Sequence, residues 1–224
     1  MKQNGTLLNT QVPKDDETCT TPKNTIKTPI KKGAFNISNE EKIGVITHHF
    51  KEIMDVLGLD LNNDSLKETP KRVAKMYVNE IFSGLNPKNK PEITLFDNEF
   101  NYTEPLIEKN IPFTSFCEHH FVPIQGIANV AYIPSNKVIG LSKIHRVVDY
   151  FSKRPQVQER LTLQIQNELK TILKTDDVGV VIKASHSCIS CRGIDHQGSH
   201  TITSFLPKSF KSSTDIMTCL NTFK

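Results

Sequence analysis

The sequence lacks any apolar run that approaches the roughly 20 residues of a membrane-spanning helix. No apolar stretch follows its first residues either, and we expect no secretory signal. Charge is almost balanced outside residues 1–35, because six lysines and three acidic residues in that segment account for +3 of the net charge of +4. Binding to nucleic acid usually requires a basic patch on the folded domain. We therefore predict a cytoplasmic protein that binds neither a membrane nor nucleic acid.

Cysteine is scarce as well. The five cysteines are an odd number at irregular spacing: Cys19, Cys117, Cys188, Cys191 and Cys219. This pattern is not typical of a disulfide framework. In a reducing compartment, clustered thiols favour metal binding or catalysis instead.

Residues 1–35 are rich in Thr, Lys, Asn and Pro and show no apolar periodicity. A segment of this composition buries too little surface to offset its ordering entropy, so we predict a disordered tail over 1–35. The remainder, 36–224, has the length of one ordinary domain.

Helical and strand periodicities alternate along 36–224. Ser38 begins the S-x-x-E pattern of a capping box, which predicts a helix that ends near Gly58. A second helix is expected from Thr69 as the cap, with Pro70 in its first turn, as far as Gly84. Further predicted elements are a strand or bent hairpin over 121–134, helices from Lys143 that Pro155 separates, strands over 178–187 and 200–205, and a short helix over 212–222. Helices and strands in separate blocks indicate an α+β fold.

Two short stretches carry candidate metal ligands. Cys117 and His120 have the C-x-x-H spacing that is common in zinc sites. His119 is adjacent to His120, and in an extended chain the two rings face opposite ways, so one is expected to be a ligand and the other free. His186 and Cys188 lie two positions apart on a predicted strand, which places both on one face.

Spacing alone leaves two kinds of metal site open. Cys117, His120, Cys188 and Cys191 are a complete set for a closed structural zinc site. A catalytic site would use three protein ligands and leave one position for water. The strand geometry favours Cys188 over Cys191 only modestly.

Six stretches resemble the GTP cyclohydrolase I family, in its order and at its spacing, over about residues 38–214. The stretches are ETPKRVAKMY (68–77), SFCEHHFVPIQG (115–126), VAYIP (130–134), VIGLSKIHRVV (138–148), RPQVQERLT (154–162) and ASHSCISCRGI (184–194).

The resemblance implies a fold, an activity and an assembly. The fold is the tunnelling fold, an antiparallel sheet backed by helices, with a helical N-terminal part over 36–95 and a catalytic part over 96–224. The activity is zinc-dependent conversion of GTP and water to 7,8-dihydroneopterin triphosphate and formate, the first step toward tetrahydrofolate or tetrahydrobiopterin. The assembly is a homodecamer with active sites at subunit boundaries.

The resemblance also implies roles for individual residues. Cys117, His120 and Cys188 would hold Zn²⁺, and His119 and His186 would be the acid–base pair. Gln158 and Glu159 would recognise guanine, although on a helix both are also compatible with ordinary exposed positions. The triphosphate would be surrounded by Ser142, Lys143, Arg146, Arg192, Lys75 and Arg72. Cys191 departs from the family pattern, and it is either an alternative ligand or a point of oxidation.

The implied chemistry suits these groups. Opening the imidazole ring of guanine needs a nucleophile at C8, and zinc supplies one by lowering the pKa of water toward about 7. Histidine, with a pKa near about 6.5, can donate and accept the protons that follow. Two rival functions stay open: another purine or pterin enzyme on the same fold, and a non-catalytic structural zinc protein.

Overall fold

The computed structural model describes residues 27–223. The helices are α1 (Asn39–Val56), α2 (Thr69–Met76), α3 (Leu141–Ser152), α4 (Gln158–Leu173), α5 (Ser187–Ser190), α6 (Lys208–Lys211) and α7 (Thr214–Asn221). The strands are β1 (Leu95–Asp97), β2 (Leu106–Cys117), β3 (Pro123–Tyr132), β4 (Lys137–Ile139), β5 (Pro155–Gln156), β6 (Val178–His186) and β7 (Thr201–Phe205). A π-helical turn, Tyr77–Ile81, extends α2, and two 3₁₀ turns follow it.

Helix α1 begins where its capping signal predicts. The Ser38 hydroxyl accepts a hydrogen bond from the Glu41 amide at 3.1 Å, and the Glu41 carboxylate accepts one from the Ser38 amide at 2.7 Å. Gly58, with φ of +81°, ends the helical segment in the left-handed region that favours glycine. At α2 the prediction was partly wrong: Pro70 lies in the first turn, but Thr69 is already helical and no side chain caps this end.

A five-stranded sheet in the order β5-β2-β3-β6-β7 forms the centre of the fold. The β2–β3, β3–β6 and β6–β7 pairs are antiparallel, and the short β5 lies parallel to the end of β2. Helices α3 and α4 pack on one face through residues such as Ile144, Leu161 and Ile165. Helices α6 and α7 pack on the other face against Ala131 and Val181. The predicted α+β class, an antiparallel sheet backed by helices, is confirmed.

Strand β2 is the longest element that the sequence analysis did not predict, and the short strands β1, β4 and β5 were not predicted either. Its register with β3 shifts between Glu108 and Ile111, and Asn110 has a φ of +57°. A bulge of this kind interrupts the alternation of buried and exposed residues. Alternation is regular only from Ile111 onwards, and Pro112 further weakens the strand signal.

The helical N-terminal part contacts the rest of the molecule closely at Gly84. The Gly84 amide donates a hydrogen bond to the Lys153 carbonyl oxygen at 2.9 Å, at the end of α3. A Cβ atom at residue 84 would overlap the carbonyl oxygen of Tyr150 and lie 2.8 Å from that of Lys153. Only glycine therefore allows this approach of two backbones.

We expect Gly84→Ala to lower the free energy of unfolding by about 1–3 kcal/mol, because two backbone segments must separate. The matched control is Gly44→Ala in α1, where an added Cβ meets nothing within 4 Å. There alanine should raise stability by about 0.5–1 kcal/mol. Urea unfolding of both variants measures the difference, and equal effects would contradict the close approach.

The predicted tail, 1–35, lies mostly in residues 1–26, which are outside the described part of the chain. Thr28 belongs to the described part, and its hydroxyl oxygen lies 3.3 Å from Arg154 Nη1 and 3.2 Å from Gln164 Nε2. Contacts with the domain thus begin before residue 36, and the division into a tail and two parts stays a prediction. Within residues 27–223, no helix is long and apolar enough to cross a membrane.

Candidate metal centre and active site

Three chain segments meet at one edge of the sheet. Strand β2 ends at Cys117, β3 begins at Pro123, and β6 ends at His186, which pairs with Ile124. The turn between β2 and β3 closes when the Cys117 amide donates to the Val122 carbonyl oxygen at 2.8 Å. Antiparallel pairing of Ile124 with His186 therefore places two segments that are 62 positions apart in sequence (186 − 124) side by side.

A cluster of two thiols and one imidazole lies at this edge. The ligand atoms of Cys117, His120 and Cys188 all lie within 4.8 Å of one another. Cys117 is buried, Cys188 is half-buried and His120 is exposed, so the cluster opens to solvent on one side. Its composition and compactness are those of a three-ligand transition-metal site.

The cluster fits zinc chemically. Burial raises the pKa of the Cys188 thiol, and the neighbouring Cys117 raises it further. Both effects disfavour the charged thiolate form of Cys188. A divalent ion reverses the balance, because the thiolate is the form that binds it.

Cys191 is not part of this cluster. Its thiol donates to the Ser187 carbonyl oxygen at 2.8 Å, and its side chain is exposed. The closed four-ligand site that the spacing allowed is therefore not formed in this structure. Among residues 27–223, no fourth His, Cys, Asp or Glu side chain joins the three clustered ligand atoms.

Two predictions about the local backbone at the candidate ligands were wrong. His186 and Cys188 do not share one strand, because β6 ends at His186 and Cys188 lies in the short helix α5. His119 and His120 are in a turn, not in extended chain, and both Nδ1 atoms lie near Cys117 Sγ, at 3.8 and 4.0 Å. Cys188 still reaches Cys117, because the start of α5 turns the chain back toward the end of β2.

His186 is held by a buried glutamine. Its Nε2 lies 2.8 Å from Gln158 Oε1. The Gln158 amide nitrogen points to three oxygen atoms, the carbonyls of Ile182 and Thr201 and the hydroxyl of Thr203, at 3.0–3.2 Å. Since that nitrogen must donate, Oε1 must accept, and Nε2 of His186 carries the proton.

This arrangement leaves Nδ1 of His186 as the nitrogen with a free lone pair. Burial lowers the pKa of His186, and the nearby Glu159 carboxylate partly offsets the effect. Gln158 is only 2% exposed, so the interpretation of Gln158 as an ordinary surface residue was wrong. Glu159, in contrast, is exposed on the first turn of α4.

An ion pair supports the turn that carries the other histidine. Arg160 contacts both carboxylate oxygens of Glu118, at 2.5 and 3.2 Å, and this lowers the pKa of Glu118. The Glu118 amide donates to the Gln156 carbonyl oxygen at 3.0 Å, and Glu118 Oε1 lies 3.8 Å from His119 Nε2. The first turns of α4 therefore hold His186 through Gln158, and the turn that bears His119 through Arg160.

We expect Arg160→Met to cost about 1–3 kcal/mol of stability, because it leaves the half-buried Glu118 carboxylate without its partner. Arg160→Lys should recover part of this loss, since lysine keeps the charge but cannot bind both oxygens. Lys170→Met is the matched control on the same helix, because its partner Asp176 is 99% exposed. Urea unfolding should show little change for the control, and an equally small change for Arg160→Met would contradict a structural role of the pair.

Sequence reasoning did not single out Glu118 and Arg160. The signal was nonetheless present, because Glu118 lies inside SFCEHHFVPIQG and Arg160 inside RPQVQERLT, two of the stretches that carry the family resemblance. Glu118 is negatively charged and lies next to two candidate ligands in sequence. Arg160 is positively charged and lies two residues after Gln158. Only the sheet shows that they meet.

The predicted triphosphate residues lie on three separate parts of the fold. Arg192 lies at the cluster, with Nη1 3.0 Å from His120 Nε2. Arg72 and Lys75 are exposed on α2, and Ser142, Lys143 and Arg146 lie on the first half of α3.

That first half of α3 lies at the other end of the sheet. His145 Nε2 is 3.0 Å from Glu108 Oε1, and Glu108 lies nine residues before Cys117 on β2. At the usual rise of a strand this places the start of α3 roughly 25–30 Å from the cluster. Within one chain, Ser142, Lys143 and Arg146 are therefore not brought to the metal centre.

An apolar groove of about 820 Å³ borders the cluster. Its lining includes His119, Glu118, Phe50 on α1, and the Phe82 and Phe121 rings, whose centroids are 5.1 Å apart. The exposed imidazole of His119 faces this groove and solvent, whereas His186 is tied to the interior.

Fold and site together define an α+β protein with a metal-compatible cluster of two thiols and one imidazole. The sequence profile of GTP cyclohydrolase I matches residues 46–221. A curated protein named GTP cyclohydrolase 1 from Flavobacterium johnsoniae is 54% identical to this chain over 185 residues, which is 83% of each chain. The protein of the same name from Vibrio campbellii is 52% identical over 188 residues, which is 84% of this chain and 86% of the relative. The protein of that name in Aeromonas salmonicida is 50% identical over 190 residues, which is 85% of this chain and 86% of the relative.

These matches cover most of the chain at high identity. The chain belongs to the GTP cyclohydrolase I family.

Proposed function

We propose that this protein is a zinc-dependent GTP cyclohydrolase that converts GTP and water to 7,8-dihydroneopterin triphosphate and formate. The observation that carries the proposal is the open cluster of Cys117, His120 and Cys188, with His119 in the same turn and His186 two residues from Cys188. A structural zinc site would need a fourth protein ligand, and Cys191 lies outside the cluster.

Zinc, when bound, supplies a nucleophile at neutral pH by lowering the pKa of water. The chain's own residues then have to move protons at the purine and orient it. Because Gln158 accepts from Nε2 of His186, Nδ1 is the nitrogen of His186 that can take up a proton and return it. His119, exposed beside the cluster, is placed to exchange protons on the solvent side.

In this proposal, Glu159 is the main residue that recognises guanine. Its exposed carboxylate on the first turn of α4 can accept hydrogen bonds from a ring N–H and an amino group. The amide hydrogens of Gln158, by contrast, are directed at protein oxygens. We therefore assign Gln158 to holding His186, in place of the direct guanine contact that the resemblance implied.

The separation of α3 from the cluster supports a shared active site. A triphosphate needs several cationic groups around it. Arg192 is at the cluster, but Ser142, Lys143 and Arg146 are not. In the predicted homodecamer, a second copy would bring its α3 to this edge. The decamer itself and the roles of Arg72 and Lys75 come from the family resemblance.

Mixing of inactive variants tests the shared site. Protein with His186→Ala and protein with Arg146→Ala should each lack activity, but subunit exchange between them should recover about a quarter of the wild-type activity, since one site in four combines two intact halves. As a control, mixing His186→Ala with Cys188→Ser should recover nothing, because both changes lie on the same half. Recovery equal in the two mixtures would rule out a site built from two copies.

Turnover of GTP tests the function directly. The purified protein should release formate and, after oxidation, a fluorescent pterin, and a chelator should abolish both. Metal content near one ion per chain without any turnover would instead support a structural zinc protein. Turnover of a different purine or pterin would support another enzyme on the same fold.

A further inference from the structure

The sequence CISC, Cys188 to Cys191, places two thiols at the ends of a single helical turn. The Cys191 amide donates to the Ser187 carbonyl oxygen at 3.0 Å, so the chain completes one turn between them. Residues three apart on such a turn have Cβ atoms about 5–6 Å apart. A disulfide needs about 3.5–4.5 Å, so a small movement suffices to join the two sulfur atoms.

The two thiols differ in what they face. Cys188 is half-buried and belongs to the metal cluster, whereas Cys191 is exposed. All residues from Cys191 to His200 are exposed, and Gly193 and Asp195 have positive φ. The segment that follows Cys191 can therefore shift without disturbing the packed core.

We propose that Cys191 is a peroxide-reactive thiol that forms a reversible disulfide with Cys188 and thereby disassembles the metal site. This inference rests on the proposed zinc site. A hydroperoxide first oxidises the Cys191 thiol to a sulfenic acid, and its O–O bond is cleaved to give an alcohol or water. The Cys188 sulfur then attacks the sulfenic sulfur, and the hydroxyl group leaves as water.

In total, the two thiols are oxidised by two electrons, and these electrons reduce one peroxide O–O bond. The product leaves Cys117 and His120 as the two remaining ligands, too few for a tight zinc site. A dithiol reductant would restore both thiols and the site. The turn thus couples an exposed thiol to the metal centre of the proposed enzyme.

Hydrogen peroxide is the probe, with the zinc-loaded full-length protein as the sample. The wild-type protein should lose two titratable thiols per chain, show a Cys188–Cys191 disulfide by peptide mass mapping, and release zinc to a chromogenic chelator. Dithiothreitol with added zinc should reverse all three. Cys191→Ser should release zinc several-fold more slowly, and Cys219→Ser, on α7, should behave as wild type.

Two results would overturn the inference: equal zinc release from Cys191→Ser and wild type, or a disulfide that maps to Cys117 and Cys188. Zinc content and GTP turnover are measured before oxidation, so a failure of the proposed function is seen separately. Disulfide mapping decides the inference even in that case, because it reads the thiols and not the activity.

Discussion

Cys188→Ser should lower GTP turnover by more than about 100-fold, since even residues that only support metal ligands typically contribute 10–100-fold. Serine keeps the size of the side chain but removes the thiolate that a soft, borderline metal prefers. The cluster then retains only Cys117 and His120. Zinc content should fall together with activity, and an excess of zinc should restore part of both.

The measurements are formate release, metal content and thermal melting on the same samples. Cys219→Ser is the matched control, because Cys219 lies half-buried on α7 and outside the cluster. A folded Cys188→Ser protein with full zinc content and normal turnover would refute the assignment of the metal ligands. Chelation of the wild-type protein should reproduce the loss and be reversed by zinc.

His186→Ala should lower the rate of turnover by about a hundredfold to ten-thousandfold, the range that a positioned acid–base group contributes. Zinc content should not change, because His186 is not one of the three clustered ligands. The KM for GTP should change much less than kcat, since the imidazole acts on protons and not on binding.

Gln158→Met tests the same histidine with a smaller expected effect. It removes the acceptor that holds Nε2 of His186, so kcat should fall by a smaller factor with zinc still bound. If Gln158 instead contacts guanine directly, the KM for GTP should rise more than kcat falls. Thermal melting accompanies both measurements, because Gln158 is buried and its carbonyl partners lose a donor.

Capping residues, glycines and short periodic patterns correctly predicted several helices and strands. The Ser38 capping box, the left-handed Gly58, and the strands and short helix of the last third all follow from residues within a few positions of one another. Strand β2 was missed because its bulge breaks the period-two pattern on which the prediction depends. The error at His186 and Cys188 has a different cause, because β6 ends at His186, one residue before the predicted end, and the chain turns into the short helix α5 that carries Cys188.

The sequence by itself determined the family, the α+β class and the residue types available for a metal, because these depend on composition and on motifs that are contiguous in the chain. Only the tertiary structure decided which groups meet. Pairing of β3 with β2 and β6 brings Cys188 to Cys117 and leaves Cys191 outside, and it buries Gln158 behind His186. It also joins Glu118 to Arg160 and holds the start of α3 far from the cluster. These relations depend on hydrogen bonds between strands distant in sequence, and no local pattern contains that information.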